Sequence, residues 1–377
     1  MNCYKNAKDL KMEIEKSVKG QDSAITAVSY AVSMHLQRLE AKQKIKKDNI
    51  LIIGPTGCGK TETYRVLKEN EINLRIPVYM FGALSYSPSE AWQGSAVTNF
   101  LKQLWLESVS LARDIASLEY SRLPDDSEDY KDHIVDLMEK AIIVIDEFDK
   151  IADRGGNTKS YSHDYQSTLL QMLEGHKYQI PMKENGESIF IEIDTTNMLF
   201  ILMGAFDGLE EIIADRIKQE HHQPIGFSVT TDSKTSDTCP TTDDIVNYGF
   251  KRELIGRMTI RAFYNPLSVA ELVRILTDCD NAAYRQYQKR FELWGHKLVI
   301  NKAGLEEIAK LAIERKTGAR GLNNIFSELL YKTLFQLTST KEPMLCLLTA
   351  SDIKNNRPPT ISRNKVSSTN TKRRRND

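Results

Sequence analysis

Apolar residues near the start of the chain recur with the spacing of an amphipathic helix. From Ile25 to Leu39 they follow one another every three or four residues, which places their side chains on one helical face. The surrounding residues continue in the same manner. The pattern therefore predicts helical structure over residues 7–45.

Three short apolar runs further along the chain end abruptly at glycine, proline or charged residues. They are "NILIIGPTG" from Asn49, "AIIVIDEFDK" (141–150) and "NMLFILMGAF" (197–206). Such runs are typical of strands that are buried on both faces. Segments with helical spacing, such as 97–112 and 163–174, separate them. The alternation predicts an α/β fold with a parallel sheet covered by helices.

The pattern changes at about Asn265. Segments 268–293 and 302–337 have helical spacing, and no long apolar strand separates them. "MLCLL" (344–348) predicts one closing strand, and the polar residues beyond it end in four basic side chains at 372–375. The sequence thus predicts a large α/β domain over 1–265, a smaller and mainly helical domain over 266–350, and a disordered basic tail over 351–377.

Composition narrows the classes of function. Among 377 residues, 51 Lys and Arg balance 51 Asp and Glu, so the net charge does not favour nucleic acid or an anionic membrane as the main partner. No apolar run approaches the roughly 18 residues that a membrane helix needs. Five scattered cysteines without a CxxC pair argue against a disulfide framework and against zinc. We expect a cytoplasmic protein.

The stretch "GPTGCGKT" (54–61) is a complete phosphate-loop motif between a predicted strand and a predicted helix. Its glycines allow backbone N–H groups to surround phosphate oxygens. Lys60 would neutralise the β- and γ-phosphates, and Thr61 would hold Mg²⁺. The alternative is a glycine-rich turn without a ligand. The predicted nucleotide contacts are Gly54, Pro55, Thr56, Gly57, Cys58, Gly59, Lys60 and Thr61.

Two adjacent carboxylates complete this chemistry at the end of the second apolar run. Asp146 would bind Mg²⁺ and Glu147 would polarise the attacking water. Alternatively, both could be solvated turn residues. Together with the phosphate loop, they predict that the chain binds ATP with Mg²⁺ and hydrolyses it.

Arg257 and Arg320 are further candidates for this site. Each lies far along the chain from the phosphate loop and could reach nucleotide only across a domain or subunit boundary. An arginine supplied in trans can stabilise the γ-phosphate transition state. The alternative for each is a surface ion pair.

With these residues in place, the chain resembles the ClpX family of AAA+ protein unfoldases from about residue 7 to 350. This resemblance implies a P-loop AAA+ large domain, a small helical domain, and a ring of identical subunits, usually six, with ATP between them. The matching stretches are "GQ" (20–21), "NILIIGPTGCGKT" (49–61), "VIDEFDKIA" (144–152), "LLQMLEG" (169–175), "GAFDGLE" (204–210), "PIGFSV" (224–229), "ELIGR" (253–257) and "RKTGARGL" (315–322).

The resemblance assigns roles to individual residues. It implies that Arg257 is the arginine finger, that Arg320 is the sensor-2 arginine, and that Val18 packs on the adenine. Trp92, in "AWQG" (91–94), corresponds to the pore-loop aromatic that grips a protein substrate, although Ala91 and Gln93 depart from the family pattern. A lone Trp could instead belong to a core or an interface.

A polar stretch at 221–244 contains one apolar triplet, Ile225, Gly226 and Phe227. In the resemblance it occupies the position of the motif that docks ClpX on the ClpP peptidase ring. Gly226 would allow the flanking side chains to enter one pocket. Alternatively, the triplet could be a local staple onto the domain surface.

Several features depart from the family. Its N-terminal zinc domain has no counterpart in this sequence, residues 106–140 form a longer acidic insertion, and "PMKENGES" (181–188) lacks the family's basic pore-entrance residues. The apolar run at 198–203 also ends without the polar sensor residue of many AAA+ proteins.

We expect an ATP-driven unfoldase that threads protein substrates through a homohexameric ring into a ClpP-type peptidase. One alternative is a remodeller that works without a peptidase. Another is a nucleic-acid motor, which only the basic tail favours, and a last one is an inactive ATP-binding scaffold.

Overall fold

The computed structural model describes residues 6–41, 45–84, 95–119, 128–155, 159–184, 187–221 and 239–363. The chain divides into two compact units, and each is described separately. The first unit lies within Met1–Glu15, Gln21–Pro55 and Lys60–Asn265, and the second lies within Lys16–Gly20, Thr56–Gly59 and Pro266–Asp377.

The first unit alternates strands and helices. Its strands are β1 (Asn49–Ile53), β2 (Val78–Gly82), β3 (Ile142–Asp146), β4 (Lys177–Glu184), β5 (Glu187–Asp194), β6 (Leu199–Gly204) and β7 (Met258–Phe263). Its helices are α1 (Ala7–Ser17, which ends in the second unit), α2 (Asp22–Glu40), α3 (Lys60–Glu69), α4 (Glu71–Leu74), α5 (Ser95–Leu118), α6 (Glu128–Glu139), α7 (Lys159–Glu174), α8 (Leu209–His221), α9 (Thr242–Asn247) and α10 (Arg252–Ile255).

A parallel sheet organises this unit and confirms the predicted α/β fold. In the described part of the chain its strand order is β2-β3-β6-β1-β7, and each neighbouring pair is parallel. The three predicted apolar runs form β1, β3 and β6, which are adjacent. Nearly every residue of these strands is buried, because helices cover both faces.

Other elements were not predicted. The strands β2 and β7 lie at the two sides of the sheet and mix buried with partly exposed residues. In addition, β4 and β5 pair in an antiparallel hairpin with Glu184 opposite Glu187. The alternation of Tyr178 and Ile180 with exposed residues is the period of a half-buried strand.

The helical structure predicted over 7–45 is present but interrupted, since α1 and α2 are separate helices and α2 ends at Glu40. Residues 18–21 break the helical course, and Gly20 has a φ of 75°. A side chain at Gly20 would also meet Glu271, whose Oε1 would lie 2.3 Å from the added Cβ. The break places Val18 outside both helices.

The second unit is mainly helical, as expected. Its helices are α11 (Val269–Thr277), α12 (Ala283–Glu292), α13 (Lys302–Glu314), α14 (Leu322–Leu337) and α15 (Ala350–Lys354), and its strands are β8 (Lys297–Ile300), β9 (Met344–Leu348) and β10 (Thr360–Arg363). The predicted closing strand is β9. It pairs in parallel with β8 and antiparallel with β10.

The predicted disordered tail from residue 351 is wrong for residues 351–363. Thr349 caps α15 through a mutual arrangement with Asp352, and Ile353 is buried. Ile361 then pairs with Cys346 across the two last strands. Residues 364–377 lie outside the described residues. Within the described ones, no helix combines the length and apolar character needed to cross a membrane.

The buried Asn49 amide joins several strands and generates a prediction. Its Oδ1 accepts from the Phe200 N–H at 3.1 Å and its Nδ2 donates to the Arg257 carbonyl at 3.3 Å. Asn49→Ala would leave the buried Phe200 N–H without that partner, which costs about 1–3 kcal/mol. We expect a Tm lower by about 2–4 °C per kcal/mol. The exposed Asn73→Ala is the control, and equal shifts for both variants would contradict this reading.

Candidate functional site

The carboxyl ends of three neighbouring strands bring the predicted catalytic residues together. Gly54 follows β1, Asp146 ends β3, and Gly204 ends β6. The Gly54 N–H donates to the Gly204 carbonyl at 3.3 Å. In open parallel sheets, ligands bind at this edge. The motif residues therefore share the edge that the topology favours for binding.

Lys60 begins α3, and its side chain contacts the start of the phosphate-loop motif. Its side chain is buried, at 7% exposure. The Nζ atom donates to the carbonyls of Gly54 at 2.5 Å and Pro55 at 2.8 Å. These contacts hold the ammonium group against the first two residues of the motif, after the carboxyl end of β1.

Within the second unit, two glycines of the loop occupy positions that disfavour other residues. Gly57 has a φ of 75°, and a Cβ on it would lie 2.4 Å from the Thr317 carbonyl oxygen. Gly59 has a φ of 109°. Both are left-handed conformations that glycine adopts without strain. Cys58, which lies between the two glycines, is buried, whereas Thr56, which precedes them, is exposed.

Two residues predicted to contact nucleotide lie close to these glycines. A Cβ on Gly59 would lie 3.0 Å from Val18 Cγ1. The Ala319 N–H donates to the Gly57 carbonyl at 3.0 Å. Arg320 is the next residue and is exposed. Val18 therefore packs near the phosphate loop. Arg320 follows Ala319, whose N–H is hydrogen-bonded to that loop.

Thr61 and Asp146 provide oxygen ligands suited to a hard cation. Thr61 Oγ1 donates to Asp146 Oδ2 at 3.4 Å, and Asp146 Oδ1 accepts from the Glu147 N–H at 2.8 Å. Hydroxyl and carboxylate oxygens next to a phosphate-binding loop are the donors that Mg²⁺ takes in such sites. The residues present thus fit an ATP·Mg²⁺ complex.

Glu147 is exposed and has a strained backbone. Its φ is 56°, in the left-handed region that residues other than glycine seldom adopt. A 3₁₀ helix, Phe148–Ile151, begins at the next residue, and Phe148 is fully buried. Strain of this kind persists where the surrounding structure enforces it. The backbone of Glu147 is consequently held in one conformation next to Asp146.

Arg257 lies at the opposite edge of the sheet. It immediately precedes β7, and β7 pairs in parallel with β1, with Met258 beside Asn49. The phosphate loop follows the other end of β1, which has five residues. At about 3.3 Å per residue the two edges are roughly 16 Å apart. Arg257 is therefore remote from the acid pair of its own chain.

The Arg257 side chain makes an ion pair within the first unit. Its Nε and Nη2 donate to Glu174 Oε1 at 3.0 and 2.5 Å, and both side chains are about half exposed. Sequence reasoning missed Glu174, although it lies in the family stretch "LLQMLEG". Trp92 and the Ile225-Gly226-Phe227 triplet lie outside the described residues.

In the described part of the chain, no group of three or more His, Cys, Asp or Glu side chains could hold a metal ion. The expectation that the protein has no zinc stays a prediction, because nothing observed here tests zinc binding.

The parallel sheet, phosphate loop and acid pair together define a P-loop ATPase of the AAA+ class. The family model for the AAA domain (Cdc48 subfamily) matches residues 45–261. The ATP-dependent Clp protease ATP-binding subunit ClpX of Borrelia duttonii is 30% identical over 92% of this chain and 78% of its own length. That of Treponema denticola is 32% identical over 88% and 77%. The chain belongs to the ClpX family and is an ATPase.

Glu147→Gln tests whether Glu147 activates the attacking water. The amide keeps the shape of the side chain but cannot accept a proton, so ATP hydrolysis should fall by about 10²–10⁴-fold. ATP affinity should stay within about twofold, since Lys60 and the loop are unchanged. Steady-state ATPase rates and a fluorescent nucleotide titration measure both. Glu62→Gln, a surface carboxylate on α3, is the control. Unchanged turnover in Glu147→Gln would show that another group activates water.

Proposed function

We propose that this chain is the ATPase subunit of a Clp-type protease, working as a cytoplasmic homohexameric ring. Hydrolysis of ATP drives the unfolding and translocation of protein substrates into a ClpP-type peptidase. Residues 1–265 and 266–350 act as the large and small AAA+ domains. No protease activity belongs to the chain itself.

The separation of Arg257 from its own phosphate loop carries this proposal. A residue at the amino end of β7 is roughly 16 Å from the carboxyl end of β1. If Arg257 stabilises a γ-phosphate, that phosphate belongs to another copy. The Asn49 contact to the Arg257 backbone and the Glu174 contact to its side chain hold the arginine at this outer edge. Head-to-tail contacts of this kind generate a ring when the rotation between neighbouring copies closes, which is the assembly that the family resemblance implies.

The residues of one copy divide the work at the other edge. Lys60 and the backbone of the loop bind and orient the phosphates. Thr61 and Asp146 hold Mg²⁺, which offsets charge on the β- and γ-phosphates when it is bound. Glu147 accepts a proton from the attacking water. Lys60 also offsets charge that develops in the transition state.

Other residues complete the site. Val18 packs on the adenine, and Arg320 of the small domain contacts the nucleotide as the sensor-2 arginine. Their positions beside Gly59 and after Ala319 support these roles. The arginine finger, Arg257, neutralises the γ-phosphate of a neighbouring copy.

Trp92 grips the substrate, because aromatic side chains make large contacts that tolerate many sequences. Ile225, Gly226 and Phe227 dock on the peptidase. These two assignments come from the family resemblance. The peptidase partner is supported by the names of the relatives, which describe subunits of an ATP-dependent Clp protease.

Mixing two inactive variants tests action in trans. Arg257→Ala removes the finger but leaves its own acid pair, whereas Glu147→Gln removes the base but keeps the finger. Each variant alone should be nearly inactive. In rings mixed in equal amounts, about a quarter of the interfaces pair an intact base with an intact finger, so part of the ATPase rate should return.

The matched control replaces Glu147→Gln in the mixture by the double variant Glu147→Gln/Arg257→Ala. It supplies no finger, and the mixture should stay inactive. If the first mixture also stays inactive although both variants assemble together, Arg257 does not act on a neighbour.

Phe227→Ala tests the peptidase assignment. Removing a central aromatic anchor typically costs at least 2 kcal/mol, so binding to a ClpP-type peptidase should weaken by about 30-fold or more. The ATPase rate without peptidase should not change. Val229→Ala, two residues further along the chain, is the control. A wild-type chain that hydrolyses ATP and unfolds protein but never binds the peptidase would favour the independent remodeller. Stimulation by DNA alone would favour the nucleic-acid motor.

A further inference from the structure

The strand β6 ends at Gly204 and is followed by Ala205, at a point where many AAA+ proteins carry a polar sensor residue. Neither residue has a polar side chain. In this chain a carboxylate from a different segment lies there instead. Asp149, in the 3₁₀ helix after Glu147, accepts a hydrogen bond from the Ala205 N–H through Oδ1 at 3.1 Å.

Gly204 makes room for this carboxylate. A Cβ on Gly204 would lie 2.8 Å from Asp149 Oδ1 and 2.7 Å from Phe206 Cε2. Both distances are shorter than van der Waals contact. Hence the glycine at the strand end and the carboxylate of Asp149 fit each other, and a polar side chain on Gly204 itself would exclude Asp149.

The carboxylate is buried, and only one of its oxygens has a hydrogen bond. The Asp149 side chain is 2% exposed. Lys150 Nζ lies 3.0 Å from Oδ2, but Oδ2 has no partner with hydrogen-bond geometry among the described residues. Burying a carboxylate on such terms is costly. A buried carboxylate oxygen that lacks a hydrogen bond calls for an explanation beyond packing.

Asp149 also joins two strained turns. Glu147 and Phe206 both have left-handed backbones, with φ of 56° and 57°. Phe148 and Phe206 lie 6.3 Å apart between ring centroids. The Asp149–Ala205 hydrogen bond thereby ties the turn that presents Glu147 to the turn that follows β6. Two strained turns fixed to one another resist relaxation better than either would alone.

We infer that Asp149 is a positioning residue for hydrolysis, which takes the place of the sensor residue that β6 lacks. It fixes the turn that carries Glu147 and sets where that carboxylate meets the attacking water. This inference rests on the proposed role of Glu147 as the base. Asp149 itself touches neither nucleotide nor water in this role.

Kinetics of two variants test the inference. Asp149→Ala removes the link to Ala205, and kcat for ATP should fall by about tenfold to 10²-fold, the effect of a small misplacement of a catalytic group. The KM for ATP should stay within about twofold. Asp149→Asn keeps an oxygen that can accept from Ala205, so its kcat should lie within about threefold of the wild type. An Asn variant as slow as the Ala variant would overturn the inference.

A double-mutant cycle separates positioning from a general structural effect. If Asp149 acts through Glu147, Asp149→Ala should not slow the residual single-turnover hydrolysis of Glu147→Gln any further. An additive loss would overturn the inference. Asp153→Ala is the control, because Asp153 also accepts from a backbone N–H, that of Gly155 at 3.1 Å, but makes no link to β6. Its kinetics should match the wild type.

The outcomes distinguish this inference from the proposed function. Wild-type turnover in Glu147→Gln would show that Glu147 is not the base, and it would contradict the proposed mechanism. An inactive Glu147→Gln together with a fully active Asp149→Ala would contradict only the role of Asp149. If Asp149→Ala fails to fold, Asp149→Leu takes its place in both tests, because leucine has nearly the shape of aspartate but cannot accept from the Ala205 N–H.

Discussion

The parallel pairing of β1 with β7 is the constraint on which the rest of the structure depends. It fixes Met258 beside Asn49, so that Arg257 and the phosphate loop stand at opposite edges of one rigid sheet. A sheet buried on both faces does not deform to bring them together. The residues proposed to bind ATP and to activate water therefore lie at one edge of the sheet, and the proposed finger lies at the other. In the proposed function, assembly of several copies is required for hydrolysis.

Helix α7 connects these two edges. Its buried Gln166 donates to the carbonyls of Ile151 and Gly249 at 3.0 Å and accepts from the Lys251 N–H at 2.9 Å. Its last residue, Glu174, holds the Arg257 side chain. The segment after Glu147 and the segment before Arg257 are thus both hydrogen-bonded to the Gln166 side chain of helix α7. Such networks hold a single geometry because each unmade bond would be costly.

The sequence was most informative where burial is complete or where chemistry restricts the residue type. The central strands form uninterrupted apolar runs, and the phosphate loop needs its glycines and lysine, so both could be predicted. The side strands β2 and β7 mix polar and apolar residues and gave no such run. The hairpin of β4 and β5 had a usable signal in the Asn185-Gly186 pair between its strands. Asp149 and Glu174 act through partners distant in sequence, which no local pattern reveals.

Action in trans is the central claim, and the ATPase rate per subunit over a dilution series tests it most directly. Sedimentation in the same buffer, with saturating ATP, would give the assembled fraction at each concentration. We expect the rate per subunit to fall in proportion to that fraction and to approach zero for single copies, although single copies still bind ATP through Lys60 and the loop. A constant rate per subunit at dilutions where only single copies sediment would contradict the account.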